Sequence, residues 1–259
     1  MGRFELTKWY IDCVDPDGRV AIAYWASLTW AGLAVTWQSL AIDGGDVPAL
    51  QRSAAGGGAA PVVAGGTLTW QPDALKCVIV AESRQPAIDV PLLADEEAPA
   101  IEWRCGVPAA AVTIDAKGAA PMRGTGYAER LVLRRPPWRL PIRELRWGRW
   151  MTADATRSLV WIDWRGEAPR TWLFVDGKAL EGASIEDGLV RGDGVALALD
   201  CRRTLKTRAF ADVAGSIPGL AALVPALRWR DTRWVSGGCL EAADAAIDGA
   251  AIHELVVFG

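Results

Sequence analysis

Hydrophobic and polar residues alternate one by one along most of this chain. That is the period of a strand with one buried face, not of an amphipathic helix. Residues 4–14 read as a first strand, closed by the turn composition Asp15-Pro16-Asp17-Gly18. A long alternating segment covers 20–40, in which Val20, Ile22, Tyr24, Leu28 and Trp30 share one parity. After Ala31-Gly32 the parity passes to Leu33, Val35 and Trp37, which predicts a bulge or tight turn between two strands. Residues 53–66 are rich in Gly and Ala with few large side chains, so a surface loop is expected there. Further strands are expected at 67–70 and 76–81, around a Gln-Pro-Asp turn, and at 101–104 and 111–114. Others follow at 158–164, at 170–176 with a hairpin at Asp176-Gly177-Lys178, at 195–201 and at 250–258. Residues 217–227, with Pro218 and Pro225, read as a short helix or loop covering a barrel end, and 242–247 as a helical turn. Many short strands and little helix predict an all-β fold of barrels or sandwiches.

The stretch 101–150 carries the chemistry. Its centre is Gly124-Thr125-Gly126-Tyr127-Ala128-Glu129. At period two Tyr127, Glu129, Leu131 and Leu133 fall on one face and Arg130 and Arg134 on the other. The arginine face is the natural solvent face, which leaves Glu129 among apolar side chains. Burial disfavours the charged form of a carboxylate, and a carboxyl kept protonated near neutral pH is a candidate general acid. The competing reading is an ordinary strand with Glu129 at a barrel rim, paired to an arginine. Eight arginines lie between 123 and 150, against Glu129 and Glu144. Strand alternation reads them as the polar side of a sheet, and one of them could hold a carboxylate or phosphate group of a substrate.

Composition narrows the function. The 259 residues allow one large domain or two small ones, and 51% hydrophobic content is enough for a large core. A net charge of −3 argues against a nucleic-acid binder, despite the tryptophans interleaved with arginines. No apolar run reaches about 18 residues, so no transmembrane segment is expected. The N-terminus has no apolar h-region, so no signal peptide is expected and a cytoplasmic location follows. Five cysteines are widely spaced without a CxxC, and His253 is the single histidine. Neither a metal site nor a Ser-His-Asp or Cys-His enzyme is expected. Fourteen tryptophans are the unusual number. They read as β-core packing, as the lining of a cavity for a flat, apolar or transiently cationic ligand, or as both.

An ordered set of motifs resembles the carotenoid 1,2-hydratase (hydroxyneurosporene synthase) superfamily, of which tocopherol cyclase and the lipocalin-like Diels–Alderases are distant relatives. The set is Trp103-Arg104, Pro108-Ala109-Ala110, Gly124-Thr125-Gly126-Tyr127-Ala128-Glu129 and Trp147-Gly148-Arg149-Trp150. Weaker echoes are Lys8-Trp9-Tyr10 and Ile252-His253-Glu254-Leu255-Val256. The resemblance implies two lipocalin-like β-barrel halves packed together, here divided as 1–110 and 111–259. It implies an acid at Glu129 with Tyr127 and Trp103 beside it. The family's acid is an Asp, and its His two residues before the tryptophan is replaced here by Ile101.

The combined expectation is a cofactor-independent enzyme of the lyase or isomerase kind, acting on an apolar unsaturated isoprenoid or polyene. Glu129 would protonate the substrate, while Trp103 and Tyr127 stabilise positive charge. Trp147, Trp150, Trp25 and Trp161 would line the pocket. Cyclisation, isomerisation and hydration all fit, and Ile101 in place of histidine favours a dry pocket and cyclisation. A pericyclase and a non-catalytic lipophile carrier are the alternatives. The partner is an apolar small molecule, with peripheral membrane contact a route for its pickup.

Overall fold

The structure is a computed structural model, described here for residues 3–45, 48–93, 99–205, 230–242 and 245–258. It is all-β, as the alternation predicts. The chain forms two compact units. The first runs to Pro136 and takes in Ala153–Arg157; the second comprises Pro137–Thr152 and the chain from Ser158 onward.

The first unit holds β1 (Glu5–Val14), β2 (Val20–Trp30), β3 (Leu33–Asp43), β4 (Leu50–Ala55), β5 (Val62–Ala64), β6 (Thr67–Trp70), β7 (Cys77–Ser83), β8 (Ile88–Leu93), β9 (Ile101–Ala116) and β10 (Met122–Leu133). They make one curled sheet in the order β4-β3-β2-β1-β10-β9-β7-β6-β5, with β8 paired to β9 beside β7. Its core cluster includes Ile11, Cys13, Leu40, Leu68, Trp70, Ile79, Val107, Val112 and Ala128. The second unit holds β11 (Ile142–Met151), β12 (Ser158–Gly166), β13 (Arg170–Val175), β14 (Lys178–Leu180), β15 (Ser184–Glu186), β16 (Leu189–Gly192), β17 (Val195–Leu205), β18 (Arg230–Ala242) and β19 (Ala245–Val257). Its curled sheet runs β14-β13-β12-β11-β19-β18-β17-β16-β15, around Trp150, Leu159, Trp161, Leu173, Leu197 and Leu240.

Local sequence explains the hairpins. Ala31 (φ 50°) and Gly32 (φ 83°) form the two-residue turn between β2 and β3, and Asp176 (φ 50°) and Gly177 (φ 76°) the one between β13 and β14. Both residues of each turn have positive φ, which matches the right-handed twist of the flanking strands.

Several expectations are corrected. A division at residue 110 would cut β9, a single 16-residue strand where two short ones were expected. Both halves of β9 pair within the first sheet, so the chain divides after β10, at Pro136-Pro137. The loop expected at 53–66 is partly strand. Residues 53–55 belong to β4 and 62–64 to β5, because β3 and β6 offer sheet edges that satisfy their backbone groups. The helical turn expected at 242–247 is instead the meeting of β18 and β19, whose pairing reaches Ala242 and Ala245. The segment 217–227 lies outside the described residues. No helix among the described residues is long and apolar enough to cross a membrane.

Candidate active site

β10 is central to the first sheet, between β1 and β9. Opposite β1 its register is regular: Tyr127 faces Asp12, Glu129 faces Tyr10, Leu131 faces Lys8 and Leu133 faces Leu6. Opposing side chains in an antiparallel pair share a face, so the Tyr127/Glu129 face expected from the sequence is real. Opposite β9 the register breaks twice, once on each side of Ala128. Ala110 pairs with Gly126, Val107 with Ala128 and Arg104 with Arg130. Two β9 residues therefore stand against Tyr127, and two against Glu129. Each break is a β-bulge, a device that bends a strand and re-aims its side chains. Pro108, which has no N–H to give a ladder, sits in one bulge. Cys105 and Gly106 sit in the other.

The glycines of the motif also have a steric reason. A Cβ on Gly124 would lie 2.1 Å from Val14 O, and one on Gly126 would lie 2.0 Å from Asp12 O. Only glycine lets β10 approach β1 this closely.

The bulges bring three expected residues together. Trp103 Nε1 donates to Glu129 Oε2 at 2.5 Å, and Tyr127 Oη donates to the same oxygen at 2.6 Å. Glu129 is 9% exposed, Trp103 2% and Tyr127 0%. Glu129 is thus a buried carboxyl reached by two neutral donors, not a residue of an exposed rim.

Around it lies an aromatic row that sequence reasoning did not assemble. Tyr10 meets Tyr24 at 5.4 Å between ring centroids and Tyr127 at 6.2 Å; Tyr24 meets Trp37 at 6.2 Å, and Lys8 Nζ sits 5.0 Å over the Tyr24 ring. All three tyrosines of the chain are in this row. Asp12 and Cys105, both fully buried, complete the neighbourhood. Cys105 Sγ donates to Ala128 O at 3.4 Å and its thiol lies against the Tyr127 hydroxyl. Burial first, and then the neighbouring Glu129 carboxyl, hold the Cys105 thiol well above its ordinary range. Burial first, then Cys105 and Glu129, do the same for Tyr127. Both stay protonated at neutral pH, so neither a thiolate nucleophile nor a phenolate base operates here. The signal that could have found the row is the Lys8-Trp9-Tyr10 echo, but the pairing of β1 with β10 spans more than a hundred residues and is invisible to local pattern.

The other expected residues lie elsewhere. Trp25 packs against the core cluster on the opposite face of the first sheet, its Nε1 donating to Gly58 O at 3.2 Å. Trp150 and Trp161 belong to the core of the second unit, and Trp150 Nε1 donates to Gly238 O at 3.0 Å. Trp147, 8% exposed, is on β11 opposite Glu254 of β19. A cavity of about 350 Å³ in the first unit is lined by Asp89, Pro91, Pro99, Glu102, Arg104 and Arg130, with no tryptophan. The arginines between 123 and 150 are not all on a polar surface. Arg149 is fully buried and donates to Ala250 O at 3.2 Å, and Arg146 pairs with Glu144 at 2.7 Å. Paired in this way, a guanidinium tolerates burial. Among the described residues no His/Cys/Asp/Glu group could hold a metal ion.

No family model matches the sequence, and no curated protein is significantly similar to it. Solved structures do match. CghA in complex with Sch210972 superposes with a TM-score of 0.60 at 13% identity, covering 99% of this chain and 89% of that one. A putative AttH protein from Nitrosomonas europaea gives 0.59 at 13%, covering 99% and 93%. Kievitone hydratase from Nectria haematococca gives 0.54 at 8%, covering 97% and 88%. The chain shares their lipocalin-like β fold over nearly its whole length.

Proposed function

We propose that this protein is an enzyme that activates an apolar, unsaturated small molecule, an isoprenoid or polyene, by proton transfer from Glu129. One observation carries the reading: a buried carboxyl accepts two neutral hydrogen bonds on a single oxygen beside a row of aromatic rings. With Oε2 engaged as acceptor, the transferable proton belongs on Oε1. Desolvation favours the neutral acid before reaction. As Oε1 delivers its proton to an alkene carbon, charge develops on the carboxylate. The Trp103 and Tyr127 donors then strengthen, which is stabilisation specific to the transition state.

The aromatic faces beside Glu129 stabilise the carbocation. It collapses when the carboxylate takes back a proton from a neighbouring carbon, or when water adds and gives up its own; either way the acid is regenerated. In this reading Trp25, Trp150 and Trp161 contribute packing, and the catalytic set is Glu129, Tyr127 and Trp103. A pericyclase is the second reading of the same site, in keeping with the sequence motifs' resemblance to a superfamily that has the lipocalin-like Diels–Alderases among its distant relatives. There Glu129 would orient or polarise the substrate and transfer no proton to carbon.

The test is Glu129→Gln, assayed against a panel of linear terpenes and polyenes, with product formation followed by mass spectrometry and binding by tryptophan fluorescence. Glutamine keeps the shape and still accepts from Trp103 and Tyr127. Loss of a general acid costs on the order of 10²–10⁴-fold in rate, with binding retained. Retained turnover in the variant rejects the acid mechanism and leaves the pericyclase. Binding with no turnover in either protein marks a carrier.

A further inference from the structure

Glu129 and Arg130 are neighbours in sequence and face opposite sides of the first sheet. On the Arg130 side the register sets Arg130 of β10 directly against Arg104 of β9. Like charges directly opposite on paired strands are destabilising. Among the described residues neither charge is well answered. Arg104 Nε is 3.9 Å from Asp89 Oδ2, and both side chains are more than half exposed, at 57% and 70%, so that pair contributes little. Glu102 is engaged by Arg134 at 2.8 Å. Arg130 has a buried Nε with no hydrogen-bond partner and makes no ion pair among the described residues. These two arginines line the cavity of about 350 Å³ described above, whose walls also include Pro91 and Pro99. That volume is in the range of small-molecule sites.

We propose that this cavity is a binding site for a small organic carboxylate, held between the guanidinium groups of Arg104 and Arg130 with its apolar body against Pro91 and Pro99. A planar carboxylate matches the guanidinium fork and would satisfy the Arg130 Nε donor. It would also remove the repulsion between the two cations. Asp89 and Glu102 in the same lining oppose a doubly charged phosphate, which selects the singly charged head group. The site is separate from Glu129 and stands whether or not Glu129 is an acid. It gives a specific role to a charge that strand alternation explains only as surface.

Calorimetric titration of the intact protein tests this, with benzoate as probe, benzamide as its neutral isostere and inorganic phosphate as the competing oxyanion. Benzoate is expected to bind saturably and to weaken with added salt, benzamide to show no binding, and phosphate to bind more weakly than benzoate. Arg130→Gln and Arg104→Gln should each weaken benzoate about tenfold or more, the scale of a lost hydrogen bond to a charged group. Arg3→Gln, at a surface position, should leave binding unchanged. Without ligand, Arg130→Gln should melt no lower than the parent protein, because it removes a like-charge neighbour. Equal binding of benzoate and benzamide, phosphate binding tighter than benzoate, or benzoate affinity unchanged in both arginine variants overturns the proposal. So does a marked loss of thermal stability in ligand-free Arg130→Gln, which would make Arg130 a structural residue.

Discussion

At the scale of single residues, burial decides protonation more than sequence neighbours do. His253, the single histidine, is packed in the second unit with its Nε2 2.8 Å from Ser236 Oγ and its ring stacked on Trp234 at 5.1 Å. Desolvation lowers its pKa from 6.5 to about 4. The folded state therefore binds fewer protons than the unfolded state between those values. Stability contributed by the neutral ring is fully present above about pH 6.5 and is lost as pH falls toward 4, with a slope of at most about 1.4 kcal/mol per pH unit. Thermal melts between pH 7.5 and 4.5 should show His253→Gln losing less stability on acidification than the parent protein. Parallel slopes would mean that carboxylates, not His253, set the acid sensitivity. The same principle makes Cys105 a packing and hydrogen-bonding residue, not a nucleophile, although it lies within the candidate site.

At the scale of elements, β10 does the positioning. Its two glycines bring it against β1, and the two bulges of β9 let Tyr127 and Glu129 meet Trp103. Gly126→Ala puts a methyl group 2.0 Å from Asp12 O and 2.7 Å from a Val112 methyl. Neither neighbour is the free end of a flexible chain, so the strands must separate. The cost is expected to be about 1–3 kcal/mol, the usual range for overpacking, read as a lower midpoint in denaturant. Any activity lost should exceed what the stability change explains, because the displaced strand carries Glu129. A neutral Gly126→Ala would mean that the approach of β10 to β1 is softer than described. In the second unit Gly148 has the same logic, since a Cβ there would lie 2.2 Å from the Trp161 ring. The Trp147-Gly148-Arg149-Trp150 motif is thereby explained by packing before any chemistry is invoked.

At the scale of the whole molecule, two large curled sheets bury most of their thiols. Cys13, Cys77 and Cys105 are 0–4% exposed and Cys239 is partly exposed, and none of the four is in a disulfide. Burial pushes the Cys77 thiol up to about 11. Disulfide exchange needs an accessible thiolate, so a thiol reagent at neutral pH should leave Cys13, Cys77 and Cys105 unmodified in the native protein. All three should react once the protein is unfolded. Peptide mapping after labelling with and without denaturant checks this, and rapid native modification of any of the three would contradict their burial. Their modification rate then reports opening of the first sheet.

The sequence by itself determined the class of the fold, most strand positions and the face on which Glu129 lies, because a period of two is a local property of the backbone. It also identified Glu129, Tyr127 and Trp103 as residues to place together, through the motifs that carry the resemblance. Tertiary structure alone decided what that face is made of. Tyr10, Tyr24 and Trp37 join Glu129 only because β1 pairs with β10 across more than a hundred residues and β2 and β3 follow in register. The join between the units moved from residue 110 to Pro136 for a related reason: two short alternating runs look like separate strands until bulges at Cys105-Gly106 and Pro108 fuse them into β9. The arginines show the limit most plainly. Alternation assigns Arg130 and Arg149 alike to a polar side, yet Arg149 is fully buried and Arg130 lines a cavity opposite Arg104. Periodicity fixes which way a side chain points, and the neighbouring strands decide what it meets there.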